Sequence, residues 1–300
     1  MGLGRRLGAT AALGIGTLGY SYLEATRRFV VREVTAPVLP AGHEPIRVLH
    51  LSDIHLVPTQ LPKREWLNSL AELEPDLVVD TGDNLAHPDS VAPLVGGLAK
   101  LLNVPGAFVF GSNDYFSPKL KNPASYLRGG TGVDREGDWE RERDLPFDAL
   151  RAAFTRQGWL DLNNDRGELT VKGTRIAFTG VDDPHLRLDR LDHQPADLTA
   201  DLRIGVAHAP YLRVLDSFNA AGNELILAGH THGGQLQVPG FGALVTNCDI
   251  DRRRANGLHQ HRTPGHDASW LHVSAGCGTS PYTPFRFSCR PEATVVTLTG

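Results

Sequence analysis

The chain alternates between short apolar runs and longer segments whose apolar residues recur every three or four positions. The runs are rich in β-branched residues and end in Asp, Gly or Asn, which is typical of strands covered on both faces. We predict strands in IRVLHLSD, DLVVDTGD, GAFVFGSND, LRIGVAHAP, ELILAGHTH, SWLHVSAG and ATVVTLTG. We predict helices in KREWLNSLAELE, DSVAPLVGGLAKLL, FDALRAAFTRQG and YLRVLDSFNAAG. In ELTVKGTRIAFTGV the pattern indicates a hairpin that turns at Lys172-Gly173.

This strand–helix alternation predicts an α/β protein. We expect one domain of two layered sheets with helices outside, over residues 45–300. Residues 115–146 are polar and rich in Gly and charge, so we expect a long loop over the end of the third strand. Residues 1–44 form a separate N-terminal hydrophobic segment followed by a proline-marked linker.

The N-terminal segment holds a charge-free run from Leu7 to Leu23, with arginines on both sides. A run of this length is at the lower limit for a membrane span. It fits a signal anchor or marginal transmembrane helix, an export signal of the twin-arginine kind, or a helix lying on the domain. We favour membrane association through this segment. Arginines at both ends leave its orientation open.

Composition narrows the classes of partner. Charged residues make up 21% and hydrophobic residues 41%, which is ordinary for a globular chain with a full core. A net charge of −4 argues against a nucleic-acid partner, which a basic surface would indicate. The three cysteines form neither a CxxC pair nor an even set, so we expect free thiols. Thirteen histidines, several of them beside aspartates at strand ends, suggest a metal site.

Potential metal ligands follow five of the predicted strands. Ligands of open α/β sheets bind beyond the carboxyl ends of the strands, so these side chains should meet at one rim. The candidate ligands are Asp53, His55, Asp83, Asn113, His208, His230 and His232.

The mixture of imidazole and carboxylate suits Zn, Fe, Mn or Co better than Ca or Mg. One tetrahedral ion would take fewer donors than the seven candidates, whereas two ions that share a carboxylate would use about that number. Glycines at 229, 233 and 234 would let the backbone turn tightly and come close to the ions.

Several motifs together resemble the calcineurin-like metallophosphoesterases. DIH at 53–55, GD at 82–83, GSND at 111–114, AHAP at 207–210 and GHTHGGQ at 229–235 stand in that family's order. The ending GTSPYTPFRFSCRPE is similar to the bacterial branch that carries an N-terminal hydrophobic segment. This resemblance covers roughly residues 45–300 and implies a metallo-dependent phosphatase-like fold, a four-layer αββα sandwich of two mixed β-sheets flanked by helices.

The resemblance also implies a role for each matched residue. Asp53, His55 and His232 would hold a first divalent ion, and His208 and His230 a second. Asp83 would bridge them, and a hydroxide between the two ions (Mn, Fe or Zn) would attack phosphorus.

One block departs from the family's pattern G-N-H-[DE], because this chain has Gly111-Ser112-Asn113-Asp114. Without a gap, Ser112 takes the place of the asparagine ligand and Asn113 that of the histidine beside the phosphate. With a slip of one residue, Asn113 stays the ligand and Asp114 replaces the histidine. We favour Asn113 as ligand, since a serine hydroxyl is a poor donor.

Either alignment leaves the histidine that would stabilise the leaving group missing. Asp114, with a raised pKa, is then a candidate catalytic acid, and His87 is a substitute for it. Arg286 and Arg290 are candidates for binding substrate phosphate, although arginines packed on a sheet edge would give the same pattern.

We therefore predict a metal-dependent phosphoesterase, held at a membrane, that cleaves a phosphodiester or pyrophosphate bond. A lipid-linked substrate would suit such a location. Two alternatives remain: a nucleotide or cyclic-nucleotide phosphodiesterase with the same centre, and a metal-binding envelope interaction module with weak catalysis.

Overall fold

A computed structural model describes residues 3–119, 142–190 and 197–300 of the chain, with side chains described from residue 14. Most of the loop predicted at 115–146 lies outside these residues. The strands are β1 (Val30–Pro37), β2 (Ile46–Leu51), β3 (Leu77–Asp80), β4 (Gly106–Phe108), β5 (Leu160–Asp161), β6 (Arg166–Val171), β7 (Thr174–Gly180), β8 (Leu202–Val206), β9 (Leu225–Ala228), β10 (Gln237–Val238), β11 (Gly242–Ala243), β12 (Gly257–His261), β13 (Ser269–Val273) and β14 (Glu292–Thr299). The α-helices are α1 (Leu3–Arg27), α2 (Leu61–Ser69), α3 (Val91–Leu98), α4 (Ser112–Tyr115), α5 (Phe147–Thr155) and α6 (Leu212–Ala220).

Twelve of these strands form two six-stranded mixed sheets. The first has the order β1-β14-β2-β3-β4-β5, in which only the β14–β2 pair is antiparallel. The second has the order β12-β13-β9-β8-β7-β6, with a parallel centre and an antiparallel pair at each edge. The hairpin prediction is confirmed: Lys172 and Gly173 join β6 to β7 at φ 48° and 77°, as a type I′ turn requires.

The layers follow from the alternation of side chains along each strand. In β2, Val48 enters the core between the two sheets, and Leu49 faces the layer of α2, α3 and α5. In β9, Leu227 faces the core between the sheets, and Ile226 packs with α6 on the other side. Since each sheet is buried on both faces, its central strands read as continuous apolar runs. The predicted four-layer αββα sandwich is confirmed.

The boundary predicted at residue 45 needs correction. Val30–Pro37 form β1, which pairs in parallel with β14 along its whole length. The segment predicted to be a linker therefore includes an edge strand of the first sheet. Its partner lies at the far end of the chain, so no local pattern marks the pairing.

Helix α1 precedes β1 and contacts the C-terminal part of the chain. The Arg286 amide donates to the Ser21 carbonyl (3.0 Å), and the Cys289 amide donates to Glu24 Oε1 (2.9 Å). Among the described residues, no helix has both the length and the apolar character that crossing a bilayer would require.

Candidate metal centre

Carboxylates and imidazoles from four strand ends meet at one rim between the two sheets. Asp53 and His55 follow β2, Asp83 follows β3, His208 follows β8, and His230 and His232 follow β9. All of them except His232 are buried. The side chains converge as the strand-end argument predicts.

Asp83 lies between two imidazoles. Its Oδ2 is 3.4 Å from His55 Nε2, and its Oδ1 is 3.5 Å from His208 Nε2. On either side, Asp53 Oδ1 lies 3.5 Å from His232 Nε2, and His208 Nε2 lies 3.3 Å from His230 Nδ1. The groups thus form a continuous line of donor atoms with a carboxylate near its middle.

Two subsets of these residues have the spacing of a metal site. One is Asp53, His55 and His232, and the other is Asp53, Asp83 and His208. Within each subset the ligand atoms lie within 4.8 Å of one another. Asp53 belongs to both, so the two potential sites are adjacent.

Most of these residues adopt a left-handed backbone conformation. The φ values are 49° for Asp53, 44° for His55, 58° for Asp83, 68° for His230 and 50° for His232. Such a conformation costs roughly 1–2 kcal/mol for a residue with a Cβ. It persists here because the turns are tied together, for example by Asp53 N to Gly82 O (2.8 Å) and His55 N to Asp83 O (2.9 Å). Backbone strain of this kind concentrates at functional sites.

Backbone carbonyls orient two of the imidazoles. His208 Nδ1 donates to Thr81 O (2.7 Å), and His230 Nε2 donates to Asn247 O (3.3 Å). A carbonyl only accepts, so these two nitrogens carry the proton in the neutral ring, and the lone pair is left on the nitrogen that faces the centre, as in histidines that bind metals. His232 Nδ1 lies near both the Gly278 carbonyl (3.1 Å) and the Arg286 guanidinium (3.2 Å), so its ring is held in place by an acceptor and a donor.

Burial sets the charge state of the rings. It lowers the pKa of His55 to about 4 and also lowers those of His230 and His232. These rings are therefore neutral near pH 7, which is the form that binds a metal. Burial opposes the charged form of His208 as well, but the Asp83 carboxylate outweighs it and raises the pKa of His208.

Several atoms of the centre lack a partner within the described chain. Asp53 Oδ1 and both ring nitrogens of His55 are buried without a hydrogen bond. An unsatisfied buried polar atom costs about 1–3 kcal/mol, so such atoms need an explanation. A cation would satisfy the carboxylate oxygen and His55 Nε2 together. The residues therefore fit divalent metal ions.

Glycines keep the centre compact. A Cβ on Gly111 would overlap Asp83 Oδ1 and lie 2.6 Å from His208 Nε2. A Cβ on Gly229 would overlap Ser52 Oγ and lie 2.7 Å from Asp53 Oδ2. Gly229 thus provides the close approach predicted from the sequence. Gly233 and Gly234 provide the tight turn, with φ of 60° and 78°.

Asp114 does not have the position predicted for a catalytic acid. Its carboxylate is fully buried and accepts from the backbone amides of Asp83 (2.8 Å), Asn84 (2.9 Å) and Gly111 (3.0 Å). Burial raises its pKa well above the usual range. We therefore correct that prediction: Asp114 fastens the turn after β3 to α4, and both of its oxygens are occupied.

Asn113 contacts the centre through its backbone, because its amide N–H donates to Asp83 Oδ1 (2.7 Å). Its side-chain nitrogen donates to the Phe116 carbonyl (3.1 Å). The role of Asn113 as a ligand stays a prediction, as does any catalytic role. The structural position of Asp114 favours the alignment without a gap, in which Ser112 stands in the ligand's place.

The two arginines predicted to bind substrate are used within the fold. Arg286 is fully buried and donates to the carbonyls of Ala275 (2.6 Å) and Gly278 (2.6 Å). Arg290 donates to the carbonyls of Arg28 (2.8 Å) and Phe29 (3.1 Å). Both predictions are corrected, because these guanidinium groups bind backbone carbonyls around α1 and the rim.

His87 makes its hydrogen bond within its own loop. Its ring is half exposed and caps a short turn, with Nδ1 accepting from the Asp89 amide (3.1 Å). Its role as a substitute for the missing histidine stays a prediction.

Two residues at the centre escaped the sequence analysis. The ring of His185 lies 4.6 Å from that of His230, and its Nδ1 is 3.0 Å from the Tyr211 hydroxyl. His185 follows β7, so the strand-end rule would have found it had β7 not been considered only as part of a hairpin. Lys63, from α2, is buried and donates to the Ile54 carbonyl (2.7 Å), between two predicted ligands. Burial lowers its pKa to about 7.

Comparison with known proteins agrees with this geometry. The family described as calcineurin-like phosphoesterase matches residues 46–234, a range that includes all six Asp and His residues of the rim. The metallophosphoesterase YkuE of Bacillus subtilis is 26% identical over 97% of this chain and 95% of its own. A metallophosphoesterase of Aquifex aeolicus is 28% identical over 94% and 95%. A protein of Danio rerio named as a transmembrane protein with a metallophosphoesterase domain is 26% identical over 96% of this chain and 61% of its own.

Proposed function

The chain belongs to the calcineurin-like phosphoesterase family, and we propose that it hydrolyses a phosphodiester or pyrophosphate bond at a dinuclear metal centre. That the chain is a phosphoesterase, and so a hydrolase, follows from its family. The two-ion arrangement is our inference, and the position of Asp83 supports it most directly, since its two oxygens face His55 and His208 on opposite sides.

We assign the ligands in two groups. Asp53, His55 and His232 would hold one ion, and His208 and His230 the other, with Asp83 shared. Divalent ions held there would supply a water of lowered pKa and would neutralise charge on the phosphoryl oxygens. We propose Mn, Fe or Zn, because mixed nitrogen and oxygen donors suit these metals.

The chain's own groups would orient and shield the reaction. Backbone carbonyls fix His208 and His230 in the tautomer that presents a lone pair, and the Gly278 carbonyl with the Arg286 guanidinium holds the ring of His232. Asp114 fixes the turn that carries Asp83. Burial of the ligands excludes bulk water and strengthens the electrostatic interactions between them and a bound phosphate.

We further propose that the substrate is lipid-linked and that the protein works at a membrane. The relative from Danio rerio is named a transmembrane protein, and its alignment covers 96% of this chain with 26% identical residues. Exposed apolar side chains on α1, such as Ile15 and Leu18, give independent support.

Hydrolysis of bis-p-nitrophenyl phosphate in the presence of Mn²⁺ tests the proposed reaction. We expect turnover in the wild type and a fall on the order of 10³-fold in Asp83→Asn, because loss of a shared ligand removes several kcal/mol of stabilisation. Asp89→Asn is the matched control, since Asp89 is exposed on the same loop. Absence of turnover with Mn²⁺, Fe²⁺ and Zn²⁺ would contradict the proposal.

A panel of substrates then tests its specificity. We expect a lipid diphosphate to be cleaved faster than cyclic nucleotides and simple monoesters. A preference for cyclic nucleotides would favour the nucleotide phosphodiesterase instead. Binding of two ions per chain without hydrolysis of any substrate would favour the non-catalytic module.

A further inference from the structure

Helix α1 leaves its large apolar side chains uncovered: every residue from 14 to 20 is exposed, and among its described side chains only those of the last turns contact the domain. Ile15, Leu18, Leu23 and Tyr22 are 72%, 59%, 54% and 49% exposed. The side toward the domain carries Ser21, Glu24 and Ala25, which are at most 5% exposed. A helix that covers a protein core has the reverse arrangement, with apolar residues inward and polar ones outward. The apolar side chains of α1 are thus largely uncovered by the described chain, apart from the ring contacts of Tyr20 and Tyr22.

This apolar side continues onto two neighbouring segments. The Tyr20 ring packs edge-on against Phe287 at 5.9 Å, and the Tyr22 ring packs against Phe285 at 6.5 Å. Phe287 in turn is hydrogen-bonded to the backbone of Gln235 and Gln237, at the start of the β10–β11 hairpin.

We call the combined area the apolar surface. It consists of the outer side of α1, the hairpin segment 236–244 and the loop 282–285. The hairpin exposes Leu236, Val238, Phe241 and Leu244 at 45%, 45%, 61% and 38%, and the loop exposes Tyr282 at 50%. Among the described residues, every exposed large apolar side chain except Leu61, Leu198 and Leu212 belongs to it. Exposed apolar side chains concentrated on neighbouring segments in this way indicate an interaction surface.

The charges beside the apolar surface are mainly positive. Arg27 and Arg28 are exposed at the end of α1, and Arg252 and Arg253 are exposed beside the hairpin. The Arg252 guanidinium lies 5.1 Å above the Phe241 ring. A pocket of about 650 Å³ opens between Phe241, Arg252 and Arg253. Asp251 also lines the pocket, but its carboxylate accepts from the Arg253 amide.

This charge distribution indicates which partner covers the apolar surface. The whole chain has a net charge of −4, whereas the three segments of the apolar surface carry one acidic residue, the buried Glu24. A second copy of the chain would bring the same arginines to the interface and be repelled by them. An anionic bilayer offers apolar acyl chains beneath phosphate groups, and apolar side chains flanked by arginines suit such an interface.

We propose that the apolar surface docks on an anionic lipid bilayer, with α1 lying in the plane of the interface and the Phe241 hairpin inserted beside it. Tyr20, Tyr22 and Tyr282 would lie at headgroup level, where amphipathic rings concentrate. Arg252 and Arg253 would bind lipid phosphate. The hairpin follows His232 directly in sequence, so this docking keeps the metal centre close to the lipid surface. The inference deepens the proposed membrane location and does not depend on the proposed chemistry.

Flotation of the full-length protein with unilamellar vesicles tests the proposal. We compare vesicles of phosphatidylcholine alone with vesicles that contain about one third phosphatidylglycerol. The wild type should float with the anionic vesicles, and Ile15→Gln/Leu18→Gln/Phe241→Ser should bind more than tenfold less tightly, because each large apolar side chain contributes roughly 1.5–3 kcal/mol when buried. Leu198→Gln is the matched control, since Leu198 is 67% exposed elsewhere on the domain.

A second set of variants tests the contribution of the arginines to vesicle binding. Arg252→Gln/Arg253→Gln should weaken binding to anionic vesicles by about tenfold or more, because each arginine near such a surface contributes about 1 kcal/mol. Lys100→Gln/Arg156→Gln removes two exposed charges elsewhere and should bind like the wild type.

Three results would overturn the proposal: no flotation of the wild type, equal flotation of all variants, or a wild-type dimer in light scattering that the apolar variants dissociate. The last result would identify a second copy as the occupant. Hydrolysis of the soluble substrate should be unchanged in every variant, so failure of docking and failure of the phosphoesterase activity are distinguishable.

Discussion

Single residues hold the centre in a conformation that the backbone alone would avoid. Asp53, Asp83 and His230 lie at positive φ, and hydrogen bonds from neighbouring turns keep them there. His230 N donates to Asp53 Oδ2 (2.9 Å), so a turn of the second sheet is fastened to a ligand of the first. The ligands are thus preorganised by their neighbours, and positioning residues matter as much as the ligands themselves.

Asp114→Asn separates a structural role of this carboxylate from a catalytic one. Three backbone amides donate to it, and an asparagine has only one oxygen to accept them. We expect a loss of about 1–3 kcal/mol in the free energy of unfolding. The rate of hydrolysis should fall equally for substrates with good and poor leaving groups. A larger loss of rate with poor leaving groups, without a loss of stability, would support Asp114 as the catalytic acid.

His185→Ala tests the packing behind His230. The His185 ring lies between His230 and Tyr211, so its removal should let the His230 ring turn away from the centre. We expect a 10–100-fold weaker affinity for the second metal ion, as when other groups that orient a metal ligand are removed. Isothermal titration with Mn²⁺ measures this. Tyr211→Phe keeps the ring and should have a smaller effect; an unchanged affinity in His185→Ala would exclude the positioning role.

The predictability of the site differs between its residues for a physical reason. The Asp and His residues of the rim follow strands, and the strand-end rule places them together without knowledge of loops. Arg286 and Asp114 act through hydrogen bonds to backbone groups of distant turns. Which carbonyls or amides surround a buried charge depends on the folded loops, so their roles were not readable from sequence.

At the scale of elements, apolar periodicity predicted the central strands, the β6–β7 hairpin and helices α2, α3, α5 and α6, and it missed the edge strands β1, β5 and β12. Strand β12 pairs only with β13 at one edge of its sheet, and four of its five residues are not fully buried. Strand β1 is similarly exposed along most of its length. Strands at an edge lack the continuous apolar run of a strand buried on both faces, so their sequences resemble those of loops.

Truncation tests the importance of β1. A chain that begins at Arg28 keeps β1, the Phe29–Trp66 ring stack (4.8 Å) and the carbonyls bound by Arg290. A chain that begins at Pro45 exposes the edge of β14, whose residues are largely buried. We expect the shorter chain to melt about 10 °C lower, because loss of roughly 3 kcal/mol lowers Tm by 2–4 °C per kcal/mol in a domain of this size.

Thermal unfolding of the two truncated chains, followed by circular dichroism, measures this difference. The shorter chain should also aggregate, since an uncovered strand edge pairs with other chains. Equal melting temperatures would show that β1 contributes little and that the boundary at residue 45 describes the folding unit after all.

At the scale of the whole molecule, the two sheets meet at the metal centre. The first sheet supplies Asp53, His55 and Asp83, and the second supplies His208, His230 and His232. The core between the sheets is mainly apolar, and a buried hydrogen bond between His50 Nδ1 of β2 and His272 Nδ1 of β13 (2.8 Å) crosses it. Ions at the rim would add a direct link between the ends of the sheets.

Removal of metal should therefore destabilise the fold and not only abolish activity. Each ion present at 100 times its dissociation constant adds about 2.7 kcal/mol to the free energy of unfolding, so chelation should lower Tm by about 10 °C or more. Readdition of Mn²⁺ should restore it in the wild type and only partly in Asp83→Asn. Amide exchange should also quicken on chelation in β3 and β9 together, because the link joins both sheets. Faster exchange in one sheet alone would mean that the ions do not connect them, and an unchanged Tm would argue against tight binding at the rim.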